Sequence, residues 1–140
     1  MMARLAETVS TEHMPPIIIA EEQFDELSEI AERLAGVLPE VSHFLDQELV
    51  RAKLLPLNHV PANVVTVNST VEFIFGMKGR KVTLTLVYPS ANSDGPDNVS
   101  IASPVGVALL GLSEGQTMSW SSRYGELRWL KVVKVARPAR

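Results

Sequence analysis

Cysteine is absent from this chain of 140 residues. Its absence excludes a disulfide framework, catalysis by a thiolate and metal sites built from cysteine ligands. Histidine is scarce as well, and His13, His43 and His59 lie in dissimilar segments. Scattered histidines of this kind are typical of surface or capping side chains rather than of a metal cage. The sequence therefore predicts no metal site and no cofactor.

Long apolar runs are also lacking. No hydrophobic segment approaches the roughly 20 residues that a membrane-spanning helix needs. The N-terminus carries Arg4 and then a polar stretch with Glu7 and Glu12, so it lacks the apolar centre of a secretory leader. Hydrophobic residues nevertheless make up 46% of the chain, which is enough for a buried core. We expect a cytoplasmic protein that does not contact a membrane.

Positive charge is scarce in the first part of the chain. Residues 1–55 contain four basic and eleven acidic side chains, whereas residues 56–140 contain nine basic and five acidic ones. This split is typical of two units with different electrostatic partners, and equally of Glu-rich helices beside Lys-rich strands. Trp129 lies among basic residues near the C-terminus, as in single-strand binding surfaces. The net charge of −3 weighs against that use, and the same lysines would equally protect an edge strand from pairing. Direct nucleic-acid binding is therefore not predicted.

The first half of the chain predicts a flexible tail followed by a helical hairpin. Residues 1–16 are polar and end in two prolines, and residues 17–19 are β-branched, which favours a short extended piece. Apolar spacings of three and four then predict two helices within residues 17–55. Because the connection between them is short, we expect the helices to be antiparallel.

The first of these helices is predicted from Glu21 to the stop at Gly36, and the second from Pro39 to the stop before Pro56. Each helix of about 14 residues would be roughly 21 Å long. The predicted tip of the hairpin includes Leu38, Pro39 and Glu40.

From Val64 onward the apolar period becomes that of strands. The predicted elements are an opening strand at residues 64–69, a hairpin of residues 70–76 and 80–88, a strand at 99–101, a helix at 104–112, and a second hairpin of residues 117–120 and 127–135. Residues 56–140 are therefore predicted to form an antiparallel sheet with one short helix, and the whole chain is predicted to be α+β.

Catalytic patterns are not recognisable. The acidic pairs Glu21–Glu22 and Asp25–Glu26 are typical of a solvated helix face. No Ser-His-Asp set is recognisable by spacing, and the glycines at 106 and 111 do not match a phosphate-binding loop. We therefore predict that the chain is not an enzyme.

One segment carries more information than the rest. Residues 99–116 read VSIASPVGVALLGLSEGQ. This ordered combination of Ser-Pro, Ala-Leu-Leu-Gly and a later glycine resembles the C-terminal domain of the Gre transcript-cleavage factors. Physically, the segment suits a strand that turns through Ser103 and Pro104 into a buried helix, with Gly115 allowing the next turn.

Three shorter segments narrow the resemblance, namely LVRA at 49–52, VVTVNS at 64–69 and LVYP at 86–89. With them the chain is similar, over nearly its whole length, to the regulators of nucleoside diphosphate kinase (Rnk) within the Gre superfamily. The resemblance implies a C-terminal domain with a fold like that of the FK506-binding proteins, joined to a short helical hairpin.

The resemblance also implies a partner. Members of the superfamily bind bacterial RNA polymerase at the rim of its secondary channel, so this chain is expected to compete with Gre factors there. The docking residues carried over are Ala102, Ser103 and Pro104, although the Gre pattern commonly has an acidic residue where this chain has Ala102. An indirect link to nucleoside diphosphate kinase follows from the family name alone.

Transcript cleavage is not expected. In Gre factors a long coiled coil carries acidic residues to the polymerase active centre, where they help hold a catalytic magnesium ion. The predicted hairpin has about half of that reach. Its tip offers one carboxylate, Glu40, whereas magnesium prefers several oxygen ligands.

A second interpretation follows from the fold that the resemblance implies. The chain could be a prolyl isomerase or a peptide-binding module, which would need an apolar pocket lined by aromatic rings. A shared fold is weak evidence for a shared activity. The aromatic residues of the domain occupy alternating positions that suit ordinary core packing, and they are Phe73, Phe75, Tyr88, Trp120, Tyr124 and Trp129. We therefore rank this interpretation below polymerase docking.

Overall fold

A computed structural model describes residues 14–76, 79–90, 93, 95–122 and 124–138. In chain order the elements are β1 (Ile18–Ala20), α1 (Glu21–Leu34), α2 (Pro39–Arg51), β2 (Lys53–Leu55), a 3-10 turn (Leu57–His59), β3 (Thr70–Phe75), β4 (Arg80–Val87), β5 (Asn98–Ser100), α3 (Pro104–Leu109), β6 (Thr117–Ser121) and β7 (Leu127–Ala136). The predicted α+β class, with two N-terminal helices and one short helix beside a sheet, is confirmed.

The helical hairpin forms because each helix has one apolar stripe. Leu27 and Ile30 of α1 and Leu45 of α2 are at most 2% exposed, and the two helices contact one another along their length. Acidic residues occupy the first turn of α1, where they interact favourably with the helix dipole. Pro39 begins α2 at a position where the missing N–H costs nothing.

The predicted end of α2 is wrong. The helix stops at Arg51, and the chain becomes extended at Ala52. Lys53 then donates a backbone hydrogen bond to the Ile17 carbonyl at 3.0 Å, and β2 pairs in parallel with β1. A strand of three residues is too short to show a period. Its partner β1 precedes the hairpin in the chain, so the pairing is not visible as a local pattern.

The main sheet has the strand order β5-β4-β3-β7-β6. The two predicted hairpins, β3–β4 and β6–β7, are confirmed and antiparallel, and β7 also pairs with β3. The strand β5 is an exception, because it runs parallel to β4. A bulge between Glu72 and Phe73 shifts the register with β7.

The predicted opening strand at residues 64–69 is wrong. Val64 makes one isolated bridge to Ser113, and the chain then turns. The Ser69 hydroxyl accepts the Thr66 N–H at 3.0 Å, and Asn68 has a φ of 82°, which asparagine tolerates better than most residues. Apolar residues are therefore frequent in this segment because it is buried, not because it is a strand.

One face of the sheet is buried and the other faces outward. Val71, Phe73, Leu130 and Val132 on the inner face are at most 1% exposed, whereas Lys131 and other residues at alternate positions are exposed. The short helix α3 lies on the inner side and contacts β5, β6 and α2. Buried residues of the hairpin and of the sheet belong to one hydrophobic cluster.

The N-terminal segment is tied to both parts of the chain. The carbonyl of Pro15 accepts a hydrogen bond from Arg51, and that of Pro16 accepts one from Gln116. Residues 1–13 of the predicted flexible tail lie outside the described residues. The division into units at residues 16/17 and 55/56 stays a prediction.

None of the helices in the described part of the chain is both long and apolar enough to cross a membrane.

Candidate functional site

The predicted docking residues lie where β5 turns into α3. The Ser103 hydroxyl donates to the Ser100 carbonyl at 2.7 Å and accepts the Gly106 N–H at 3.1 Å. Ser103 is therefore the N-cap of α3, and Pro104 follows at the first helical position. Both hydrogen-bonding functions of the Ser103 hydroxyl are used inside the molecule, whereas Pro104 is exposed.

An open depression of about 480 Å³ adjoins this turn. It is lined by Pro89, Ser90, Ser93, Asn98, Val99, Ser100, Ala102 and Ser103. The backbone N–H of Ala102 donates to the Ser100 hydroxyl at 2.9 Å, and its methyl group is half-buried at the edge of the depression. The surface that Ala102, Ser103 and Pro104 offer is therefore small and uncharged, and we call it the turn surface.

Gly106 explains why α3 can lie so close to β5. A Cβ atom at this position would stand 2.0 Å from the Ser100 carbonyl oxygen and 3.1 Å from the Ile101 Cα. Both neighbours are backbone atoms, so they have no rotamer through which to move away. Only glycine allows the helix to begin at this distance from the strand.

Most of the other residues in the segment 99–116 belong to the hydrophobic core. Val107, Ala108, Leu109, Leu110 and Leu112 are at most 1% exposed. The predicted helix at 104–112 is too long, because the chain leaves the helix at Leu110 and reverses at a glycine with φ of 82°.

That glycine, Gly111, is where the N-terminal strand joins the domain. Its carbonyl accepts the Ile18 N–H at 3.2 Å, and its own N–H donates to the Val65 carbonyl at 2.9 Å. A Cβ atom there would stand 2.8 Å from the Ile17 Cβ. The signature thus specifies how the hairpin is attached as well as how the domain is packed.

The hairpin tip is a separate site. The Leu38 N–H donates to the Leu34 carbonyl at 2.7 Å, and the Leu38 carbonyl accepts the Ser42 N–H at 2.9 Å, which fixes the backbone of the connection. Val37 is 73% and Leu38 39% exposed, so the tip presents apolar side chains. Pro39 and Glu40 are also exposed, and none of these tip residues lines the depression beside Ala102.

An ion pair at the end of α2 is not evident in the sequence. The Arg51 guanidinium donates to both oxygens of Glu48 at 2.9 Å, and the Glu48 side chain is only 1% exposed. Bidentate geometry of this kind is what a buried carboxylate needs. The signal that could have indicated it is Glu48 itself, an acidic residue close to the apolar stripe of α2.

Tyr88 follows β4 and lies near the hairpin. Burial, and then the negative charge of Glu26 on α1, raise the pKa of Tyr88 from 10.0 to about 12. Both effects penalise the phenolate, because desolvation disfavours a charge and a carboxylate repels it.

The aromatic rings near the hairpin pack against one another. Phe44 of α2 has its ring centroid 6.3 Å from that of Trp120, Trp120 lies 6.4 Å from Phe75, and Phe75 lies 6.5 Å from Phe73. The rings thus join the hairpin to the sheet, and none of them lines the open depression. This arrangement does not favour an aromatic-lined isomerase pocket.

Within the described ranges, no three His, Asp or Glu side chains converge as a metal site requires.

Comparisons with known proteins match this architecture. Residues 60–137 match the family described as transcription elongation factor, GreA/GreB, C-term. The regulator of nucleoside diphosphate kinase of Escherichia coli K12 is 33% identical over 121 residues, which cover 86% of this chain and 89% of that protein. The transcription elongation factor GreA of Syntrophomonas wolfei is 30% identical over 91 residues, 65% of this chain and 57% of that protein.

A solved structure also resembles the whole chain. It is described as a prokaryotic transcription elongation factor GreA/GreB from Nitrosomonas europaea, with a TM-score of 0.67 and 34% sequence identity. The similarity covers 87% of this chain and 98% of that one, so it includes the helical hairpin as well as the sheet.

Proposed function

This chain belongs to the GreA/GreB family of transcription elongation factors, and we propose on that basis that it docks on bacterial RNA polymerase without promoting RNA cleavage. The relatives named above are regulators or elongation factors, and the chain is a regulator of that type. The finer steps, which are docking at the rim of the secondary channel, exclusion of Gre factors and lack of cleavage, are our proposal.

The short hairpin is the observation that carries the proposal. The helix α1 has 14 residues and α2 has 13. At 1.5 Å per residue, each is roughly 20 Å long. The exposed tip has one carboxylate, Glu40, beside the apolar Val37 and Leu38. A hairpin of this length and tip chemistry supports obstruction of a channel mouth, and does not support delivery of metal-binding carboxylates to an active centre.

The turn surface supplies the proposed attachment. Pro104 is held rigidly at the start of α3 by the Ser103 cap, and Ala102 stands beside it. The acidic outer side of α1, with Glu22, Asp25 and Glu29 exposed, would favour a basic channel wall and speed the encounter. Such charge interactions are screened by salt.

The test is a competition on purified polymerase. The chain should be retained by polymerase at low salt, displace a Gre factor and inhibit Gre-stimulated RNA cleavage, while stimulating none itself. Failure to bind at low salt would remove the proposal entirely. Stimulated cleavage would overturn the assignment of an obstructing hairpin.

Two substitutions locate the docking surface. Pro104→Glu keeps a residue that suits the first turn of a helix but removes the exposed proline ring from the turn surface, so it should weaken retention by polymerase about tenfold, or about 1.4 kcal/mol. Ala102→Asp restores the acidic residue of the Gre pattern and should strengthen retention. Lys53→Ala, an exposed change on β2, is the control and should leave retention unchanged. Unaltered binding by both turn variants would place the docking surface elsewhere.

A further inference from the structure

The outer face of the sheet is a surface that the proposed docking does not use. Side chains at alternate positions of β3, β4, β6 and β7 point away from the core. We define the outer face by Ile74, Lys81, Thr117, Trp129, Lys131 and Lys134. Ile74 and Trp129 are partly exposed, and the other four residues are exposed. The turn surface belongs to a different part of the molecule, the junction of β5 with α3.

The charges of this face are gathered by the strand register. One row of side chains crosses four neighbouring strands of the sheet. Each member is the cross-strand partner of the next, in the order Lys81, Ile74, Lys131 and Thr117. Two acidic side chains adjoin this face. Glu72 lies 3.2 Å from Lys81 and is the cross-strand partner of Lys134, and the Glu114 carboxylate accepts the Val135 N–H at 2.9 Å at the edge of β7. Among the described residues neither Lys131 nor Lys134 is within ion-pair distance of a carboxylate, so both ammonium groups on β7 can take another anionic partner.

An aromatic ring lies beside these lysines. Trp129 has Ser119 as its cross-strand partner on β6, and on the other side its carbonyl accepts the N–H of Gly76, just past the end of β3. Both neighbours are small, so neither extends a long side chain over the indole. Trp129 and Lys131 are two residues apart on one strand, which separates their Cα atoms by roughly 7 Å on the same face.

The acidic hairpin lies on the opposite side of the sheet. Phe44 of α2 contacts Trp120, whose ring also stacks on Phe75 of the inner face. The negative charge that dominates the first 55 residues is therefore separated by the sheet from the lysines of β7. A net charge of −3 for the whole chain understates the positive character of this one surface.

We propose that the outer face binds single-stranded RNA, with a base stacked on Trp129 and neighbouring phosphates on Lys131 and Lys134. A basic surface with an aromatic platform is the combination that single-strand binding needs. Ser119 is opposite Trp129 and Thr117 is opposite Lys131, and both residues are exposed. Their hydroxyls can hydrogen-bond a ribose 2′-hydroxyl, which favours RNA over DNA. This inference goes beyond polymerase docking and uses none of the residues of the turn surface.

The test uses the full chain and a fluorescent single-stranded uridine oligonucleotide, with anisotropy measured over a series of salt concentrations. Lys131→Ala/Lys134→Ala should weaken binding and reduce the slope of log K against log salt by about 1.4, since each phosphate contact on a single strand contributes about 0.7. Trp129→Ala should weaken binding by about 5-fold to 100-fold through lost stacking. Trp129→Phe keeps a ring and should lose less, which separates stacking from a folding defect.

A matched control removes two positive charges on the hairpin side. Arg33→Ala/Lys53→Ala changes the net charge by the same amount and should leave the affinity for the oligonucleotide within about twofold, because both residues lie away from the outer face. An equal loss in this control would mean that the binding is unspecific attraction, and would overturn the proposal.

Two competitors decide the nature of the ligand. Deoxyuridine of the same length should compete less well than the RNA, and poly-glutamate should compete poorly because it cannot stack. Equal or better competition by either one would overturn the assignment to RNA. Retention of the Lys131→Ala/Lys134→Ala variant by polymerase is measured separately, so failure of RNA binding and failure of docking are distinguishable.

Discussion

Gly106 lies where the backbone of a helix meets the backbone of a strand. Gly106→Ala would force a methyl group to within 2.0 Å of the Ser100 carbonyl oxygen, so α3 and β5 must separate. We expect a loss of about 3 kcal/mol or more in the free energy of unfolding, because overpacking against an unyielding neighbour is among the larger single-residue effects. Urea unfolding followed by circular dichroism measures it.

Gly36 is the matched control for that substitution. It lies in the exposed hairpin connection, where an added methyl group would have no atom within 4 Å, and its φ is not positive. Gly36→Ala should therefore leave stability unchanged or raise it by about 0.4–1 kcal/mol, through lower entropy of the unfolded chain. Equal losses at the two glycines would contradict the close approach of α3 to β5.

Titration of Tyr88 should make the stability of the protein depend on alkaline pH. Its pKa is raised to about 12, first by burial and then by Glu26, so the phenol stays neutral in the folded state above pH 10. The neutral form contributes stability that is complete below the unfolded pKa and declines as pH rises from about 10 toward 12. Tyrosinate absorbance of the wild type minus that of Tyr88→Phe isolates this group. Glu26→Gln should lower its midpoint, and an unchanged midpoint would assign the whole shift to burial.

At the scale of elements, the end of α2 depends on one ion pair. Arg51→Ala leaves the Glu48 carboxylate buried without its bidentate partner and removes the hydrogen bond to the Pro15 carbonyl. We expect it to cost about 3 kcal/mol in the free energy of unfolding. Chemical denaturation of the purified variant gives the value directly.

The double variant Glu48→Leu/Arg51→Met tests the reason for that loss. Because it removes both charges and keeps the volume, it should be more stable than Arg51→Ala alone. Val50→Ala, a change at the neighbouring residue that is 86% exposed, should have almost no effect. If the double variant is the least stable of the three, the unpaired carboxylate is not the cause.

The elements that sequence reasoning recovers are those with a repeated period. The helices α1 and α2 show apolar residues at spacings of three and four, and the two antiparallel hairpins show alternation over five or more residues. The strand β2 was missed because three residues show no period. Residues 64–69 were assigned wrongly because buried apolar side chains around a Thr66–Ser69 turn imitate a strand.

The candidate docking residues were recoverable only through the ordered signature of residues 99–116. Their local roles were not, because the cap made by Ser103 and the close approach at Gly106 depend on where β5 lies. The outer face was still harder to predict, since Lys81, Lys131 and Thr117 are brought together by strand order rather than by sequence spacing.

At the scale of the whole molecule, the hairpin and the sheet share one core. Ile19 and Leu45 belong to the same buried cluster as Phe73 and Leu109. We therefore expect helix content and tryptophan fluorescence to be lost in a single coincident transition on adding urea. Loss of helix before fluorescence would instead indicate that residues 17–55 unfold as a separate unit.

The pairing of β1 with β2 has a mechanical consequence. The chain that enters α1 and the chain that leaves α2 are hydrogen-bonded side by side, and Gly111 holds the first of them against the sheet domain. Both connections at the base of the hairpin are therefore hydrogen-bonded strands, and neither is an isolated flexible linker. Adding seven residues to each helix would advance the tip by about 10.5 Å along nearly the same axis and leave the base untouched. The length of the hairpin can therefore change without altering the strand pairing that attaches it to the sheet.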